Sequence, residues 1–310
     1  MNIKTAVIGV GSLGHHHARI LSQHSKSKLE FVVDINKKTA IRIAKINNTK
    51  YLTNYNALVG KIEAAIIAVP TQYHYHVTKF LLQHDIHCLV EKPFTTDIYE
   101  AEELVRISKA RNLILQVGHI ERFNPAIIAA VNYVNNPKFI EVNRLGPYYD
   151  SRINNIGVVL DLMIHDLDIL FFFMKEKVIS FEAYGAKVFS NTEDIAKVRL
   201  RYSNGCIADL SASRVSLKKY RKIRIFQSNS YISIDYAKKN LKIYTKKKEN
   251  INSISDIDVK KPKLLLREPL FYELDNFLTN VINGQNPDIS GNQGKNVVKL
   301  AIDILKNMIF

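Results

Sequence analysis

Three glycines, Gly9, Gly11 and Gly14, mark the junction of a β-branched run at 3–10 and a segment with helical spacing at 13–24. A second apolar run, 29–34, ends on Asp34, 20 positions after Gly14. Strand, glycine turn, helix, strand, carboxylate is the order a parallel βαβ unit imposes. Gly9 permits the tight turn, Gly11 admits close backbone approach, and Gly14 lets the helix pack on the strand. The helix then offers N–H groups and the positive end of its dipole to an anion. The loop, with Ser12 and Leu13 inside it, therefore predicts a site for the pyrophosphate of a dinucleotide. Asp34 is placed to accept hydrogen bonds from ribose hydroxyls and to repel a 2′-phosphate, which favours NAD. Lys37 and Lys38, close behind it, leave NADP open.

The alternation continues. Helical spacing at 37–46, 73–83 and 97–111 separates apolar runs at 64–69, 87–91 and 113–117, with Asp97 as an N-cap. This predicts a doubly wound parallel sheet covered on both faces. After about residue 120 the pattern changes. Helices are expected at 125–134 and 158–174, and successive strands with polar turns from 178 to 244. The turns are Ser203-Asn204-Gly205 and Gln227-Ser228-Asn229-Ser230. A loop is expected at 246–263 and helices at 270–283 and 292–308. The fold class is α/β: a Rossmann domain at 1–120 and an α+β domain at 121–310 with a mostly antiparallel sheet. The terminal helices are able to pack back on the first domain.

Composition narrows the function classes. The chain of 310 residues is 46% hydrophobic and 24% charged, which builds a core and excludes disorder as its main state. The longest apolar stretch, 158–174, carries Asp161, His165, Asp166 and Asp168, so no membrane insertion is expected. Two distant cysteines, Cys88 and Cys206, and no secretory h-region at the N-terminus fit the cytoplasm. The net charge of +15 reads first as a solvated basic face and second as attraction for a phosphorylated substrate. It lacks the zinc ligands, recognition helix or aromatic–basic interleaving of a nucleic-acid binder, so no nucleic-acid partner is expected.

Two further groups carry chemistry. Glu91-Lys92-Pro93 ends a predicted parallel strand, at the edge where open α/β sheets bind ligands. A lysine there can stabilise negative charge developing on a substrate oxygen; the bland alternative is a salt-bridged surface lysine. Asp161 and His165, at i and i+4, share a helix face and reach one cleft. Histidine is a proton acceptor near neutral pH, and the bland alternative is a buried pair. A metal cluster of Asp161, His165 and Asp168 with His74 or His76 matches no ligand template, so no metal is expected. His15-His16-His17 lies inside the first helix, where consecutive side chains diverge, and reads as surface or packing histidines.

The glycine loop, Val69-Pro70-Thr71 with His74, Glu91-Lys92-Pro93, Gly118-His119 with Arg122-Phe123-Asn124-Pro125, and Asp161 with His165 come in the order and spacing of the Gfo/Idh/MocA oxidoreductases, which the chain resembles over nearly its whole length. The resemblance implies a C-terminal domain with an open sheet and homodimers or homotetramers formed through it. It implies Lys92 as the catalytic lysine, Asp161 as an orienting carboxylate and His165 as general base. Pro70, Thr71 and His74 would lie near the nicotinamide end, with Glu91 and Gln116 beside the cofactor. Only Gly157 remains of the glycines that usually precede the aspartate. The Gly118–Pro125 and Val158–Asp168 stretches are similar to a branch that oxidises UDP-N-acetylglucosamine at carbon 3. Arg122, Asn124 and Arg152 are the expected substrate contacts, and Arg144, Arg214 and Lys218 would also suit a pyrophosphate. The alternatives are an inositol or free-sugar dehydrogenase and a catalytically inactive cofactor-binding regulator.

Overall fold

The computed structural model describes residues 2–148, 156–264 and 267–310. The chain divides into two units: Met1–Ile120 with Arg267–Lys299, and Glu121–Leu266 with Leu300–Phe310.

The first unit is a six-stranded parallel sheet. Its strands are β1 (Ile3–Ile8), β2 (Ser27–Val33), β3 (Lys50–Leu52), β4 (Ala64–Ile67), β5 (His87–Glu91) and β6 (Leu115–Gly118), in the order β3-β2-β1-β4-β5-β6. The order reverses between β1 and β4, the switch point where such sheets open a crevice. β4 and β6 are buried at every residue, as expected of strands covered on both faces. Four helices connect the strands: α1 (Gly14–Gln23), α2 (Lys37–Ile46), α3 (His74–Gln83) and α4 (Ile98–Ala110). Asp97 caps α4 by accepting from the Tyr99 and Glu100 amides, at 2.7 and 3.3 Å. A late segment completes the unit. Leu270, Leu274, Phe277 and Leu278 of α7 (Pro269–Asn283) join Val7, Leu21, Val32 and Ile66 in one core.

The second unit holds α5 (Pro125–Val131), α6 (Ile164–Phe173) and an eight-stranded sheet. Its strands are β7 (Phe139–Leu145), β8 (Val178–Ala186), β9 (Ile195–Tyr202), β10 (Ile207–Ser213), β11 (Tyr220–Phe226), β12 (Ser230–Asp235), β13 (Asn240–Lys246) and β14 (Ile257–Lys260). The order is β14-β13-β12-β11-β7-β10-β9-β8, and only β7 and β10 run parallel. In β7, Ile140, Val142 and Arg144 are buried while Glu141, Asn143 and Leu145 are half-buried. One face of the sheet is thus core and the other open and polar. The C-terminal helix, α8 (Gly291–Lys306), gives its first residues to the first unit.

Two strands escape the sequence pattern. β3 is three residues of an edge, and β14 lies in the stretch 246–263 read as a loop. Both are edge strands, and neither has a buried residue to leave a period-two trace. The stretch read as one α-helix at 158–174 begins instead as a π-helical turn, Val159–Met163, before α6. Among the described residues no helix is long and apolar enough to cross a membrane, and no three His, Cys, Asp or Glu side chains cluster as metal ligands.

Candidate active site

The glycine loop closes as its residue types require. Gly9 sits at φ +81°, and a Cβ there would lie 2.7 Å from the Ala68 carbonyl oxygen. A Cβ on Gly14 would lie 1.8 Å from the Gly9 oxygen, so helix and turn meet backbone to backbone. A Cβ on Gly11 would meet nothing within 4 Å, which leaves room for a ligand at the turn. Ser12 and Leu13 are exposed beside it. No side chain caps α1 and no acidic residue stands in its first turn, so its positive end is unneutralised. Asp34 accepts from the Val10 amide at 3.0 Å and from the Asn36 amide at 2.9 Å. These bonds fix its carboxylate next to the loop. The cradle, the uncapped helix and the oriented carboxylate fit a dinucleotide.

The ends of β4 and β5 are tied to each other. Pro70 is exposed and Thr71 half-buried in a short 3₁₀ turn that leads into α3. His74 is 1% exposed; its Nδ1 lies 2.9 Å from the Pro93 oxygen and its Nε2 2.9 Å from the Val69 oxygen. Burial lowers its pKa, against the pull of those two carbonyls. Glu91 is buried and accepts from Nε2 of His17 at 2.6 Å and from the Lys92 amide at 3.3 Å. Burial favours its protonated form, but the hydrogen bond from His17 and the charges of His17 and Lys92 outweigh it and lower its pKa. Lys92 is half-buried just beyond β5, and the Lys92–Pro93 peptide is cis. Gln116 is fully buried, and its amide donates to the Glu273 carbonyl of α7 at 3.3 Å. That bond directs at least its amide nitrogen into the core.

In the second unit the four ionisable groups of the apolar helix separate into two kinds. Asp161 and His165 are half-buried, on the π-helical turn and the first turn of α6. Such turns are rare and frequent at functional sites. Asp166 and Asp168 are buried and paired with arginines. Arg144 meets Asp166 with two bonds of 2.9 Å, and the Tyr236 hydroxyl donates to the same carboxylate at 2.9 Å. Arg122 grips both oxygens of Asp168. Asn124 caps α5 through the Ala126 amide and donates to the Tyr236 carbonyl at 3.0 Å. Arg214 binds Asp194 at 2.8 Å and the Ile156 carbonyl at 3.0 Å. Three arginines nominated for an anionic substrate are therefore bound to the protein's own carboxylates. Lys218 is exposed, and Arg152 lies outside the described residues.

Sequence reasoning missed three groups. His17, read as a packing histidine, contacts the carboxylate beside Lys92. Tyr236, buried just past the end of β12, was not singled out, and no local spacing marks it. Glu193 caps the helix that carries Asp161, accepting from the Val159 amide at 3.0 Å. Its carboxylate oxygen would lie 1.9 Å from a Cβ on Gly157, which explains the one glycine kept there.

A Rossmann unit whose loop, helix terminus and carboxylate accept a dinucleotide places the chain among the nicotinamide-dependent oxidoreductases. The family model "Oxidoreductase family, NAD-binding Rossmann fold" matches residues 3–119, and "GFO/IDH/MocA C-terminal domain" matches 129–233. The chain is 32% identical to UDP-N-acetylglucosamine 3-dehydrogenase of Acidithiobacillus ferrooxidans, over 98% of this chain and 96% of that one. The solved structure of that enzyme matches with a TM-score of 0.93 at 31% identity, covering 99% and 98% of the two chains. Myo-inositol 2-dehydrogenase of Thermotoga maritima is 22% identical over 99% of this chain and 96% of its own. Levoglucosan dehydrogenase, in complex with NADH and levoglucosan, shares the fold with a TM-score of 0.89 at 15% identity, covering 99% and 97%. The chain belongs to the Gfo/Idh/MocA oxidoreductases: it is an NAD-binding dehydrogenase that acts on CH–OH groups.

Proposed function

We propose that the chain oxidises a secondary hydroxyl of a nucleotide sugar, UDP-N-acetylglucosamine at carbon 3, with NAD as acceptor. The observation that carries this reading is 32% identity sustained over 98% of the chain with an enzyme of that name, against 22% for the inositol dehydrogenase. NAD, when bound, supplies the hydride acceptor. His165 takes the hydroxyl proton as the carbonyl forms. Lys92 stabilises the negative charge that develops on the same oxygen. Asp161 accepts a substrate hydroxyl and orients the ring. Three of the nominated arginines are held in internal pairs, so recognition of the diphosphate falls to Arg152 and to surface lysines such as Lys218. The open polar face of the eight-stranded sheet supports assembly of like copies through that face, and two buried free thiols fit a reducing cytoplasm.

A panel of UDP-sugars and cyclitols, scored by NADH absorbance, tests the substrate. UDP-N-acetylglucosamine should give the highest kcat/KM, with UDP as a competitive inhibitor. Turnover of myo-inositol unaffected by UDP would replace this reading with that of a cyclitol dehydrogenase. Lys92→Ala should lower kcat by about a thousandfold while the Kd for NADH changes little, the order of loss expected when a transition-state donor is removed. A variant with full turnover would remove Lys92 from the chemistry.

A further inference from the structure

Two buried histidines from different helices converge on the three residues around Lys92. His17 of α1 is 1% exposed and reaches Glu91 through Nε2 at 2.6 Å. The other oxygen of that carboxylate accepts the Lys92 amide at 3.3 Å. His74, also 1% exposed, reaches the Pro93 oxygen through Nδ1 at 2.9 Å. Space around the carboxylate is tight: a Cβ on Gly118 would lie 3.2 Å from Oε2 of Glu91. Burying an imidazole costs more than burying a leucine of similar bulk unless its polar atoms are used. Here both rings spend a nitrogen on the residues that flank one lysine. α1 also carries the glycine loop at its start, and α3 follows the turn with Thr71. The brace therefore connects the Lys92 segment to the walls of the dinucleotide crevice.

We infer that His17 and His74 are positioning residues that together fix Lys92 for hydride transfer, His17 through the Glu91 carboxylate and His74 through the Pro93 carbonyl. This rests on the role given to Lys92 above. Neither ring touches the reacting atoms. Each acts by removing freedom from the segment that presents the lysine, and a misplacement of about 1 Å costs up to a hundredfold in rate.

His17 reaches the Lys92 segment through Nε2 and His74 through Nδ1, the His74 Nε2 lying instead on the Val69 oxygen, and this gives a crossed test. A glutamine amide places its nitrogen near Nε2 of histidine, and an asparagine amide places it near Nδ1. His17→Gln and His74→Asn should keep kcat within about threefold of wild type. His17→Asn, whose amide falls short of Glu91, and His74→Gln, whose amide faces Val69 and leaves Pro93, should lose about ten- to a hundredfold in kcat. All four should bind NADH within about threefold of wild type by fluorescence titration. A packing role would not yield this pattern. Equal losses for Asn and Gln at either position would overturn the inference. So would losses that follow melting temperature or NADH affinity, or failure of all four variants to fold. The assay uses UDP-N-acetylglucosamine. If the wild type leaves that sugar untouched but oxidises another member of the panel, the proposed substrate fails and the crossed test proceeds on the alcohol it oxidises.

Discussion

Asp194 shows how far one carboxylate can organise its surroundings. It is fully buried and accepts the amides of Val188, Phe189 and Ser190 at 2.7, 2.7 and 3.0 Å, the Ser190 hydroxyl at 2.8 Å and Nε of Arg214 at 2.8 Å. Burial works against the charged form, but the Phe189 and Val188 amides and Ser190 outweigh it and hold the carboxyl well below the usual carboxylate range. A carboxyl depressed in the folded state adds stability that is fully present above its unfolded pKa, about 3.9, and is lost as pH falls toward its folded value. Asp194→Asn should therefore cost about 3 kcal/mol at neutral pH, because amide donors and Arg214 lose a charged acceptor. In urea melts the gap between wild type and variant should stay constant from pH 8 to about 5 and narrow below about 4. A gap unchanged at pH 3, or absent at pH 7, would contradict this account. The two thiols follow the same physics with the opposite sign: burial raises the Cys88 pKa and pushes the Cys206 thiol up to about 11, so neither is a ready nucleophile at neutral pH.

At the scale of elements, the helix that carries Asp161 and His165 is fixed at its start. Glu193 accepts the Val159 amide through its side chain and the Val158 amide through its backbone, both at 3.0 Å. It places a negative charge at the positive end of the helix. Gly157→Ala would drive a methyl to within 1.9 Å of that carboxylate, so the cap must leave. The variant should lose about 1–2 kcal/mol, the usual worth of a cap, and kcat should fall with it if Asp161 and His165 act as proposed, since both lie within about two turns of the disturbed end. A double-mutant cycle isolates the cause: in a Glu193→Ala background, Gly157→Ala should cost almost nothing. Additive losses would show that Gly157 answers to something other than Glu193. The same helix marks the limit of what the residues alone disclose. The alternation of apolar runs was legible because each inner element buries a face, and the glycine loop because backbone contact admits no other residue. Which of four ionisable groups are spent on structure was not. Asp166 and Asp168 find partners 22 and 46 residues away, and nothing in local spacing separates them from Asp161 and His165. Arg144 illustrates the converse: the period of two that buries Ile140 and Val142 also buries Arg144, and its charge hid that it belongs to the inner face.

Across the whole molecule, sequence order and folding unit part company. Every motif residue of the dinucleotide site lies before position 120, yet the unit holding them is finished by residues 267–299. Leu274, Phe277 and Leu278 are fully buried, and Leu270 nearly so, in the core that also contains Val7, Leu21, Val32 and Ile66. The Gln116 amide gains its Glu273 carbonyl partner from the same helix. Emptying a site filled by one large apolar side chain costs about 2–5 kcal/mol. Four such sites together amount to on the order of 10 kcal/mol, as much as the whole stability of an ordinary domain. A fragment of residues 1–120 should therefore lack a cooperative urea transition and give no enhancement of NADH fluorescence, although it carries every cofactor contact expected from the motif. Residues 267–299 supplied as a separate peptide should restore both, at concentrations set by the affinity of α7 for its groove. Cooperative unfolding and NADH binding by 1–120 alone would show that α7 is an accessory to the sheet. Their recovery only with the peptide would show that the dinucleotide domain is built from two distant stretches of chain.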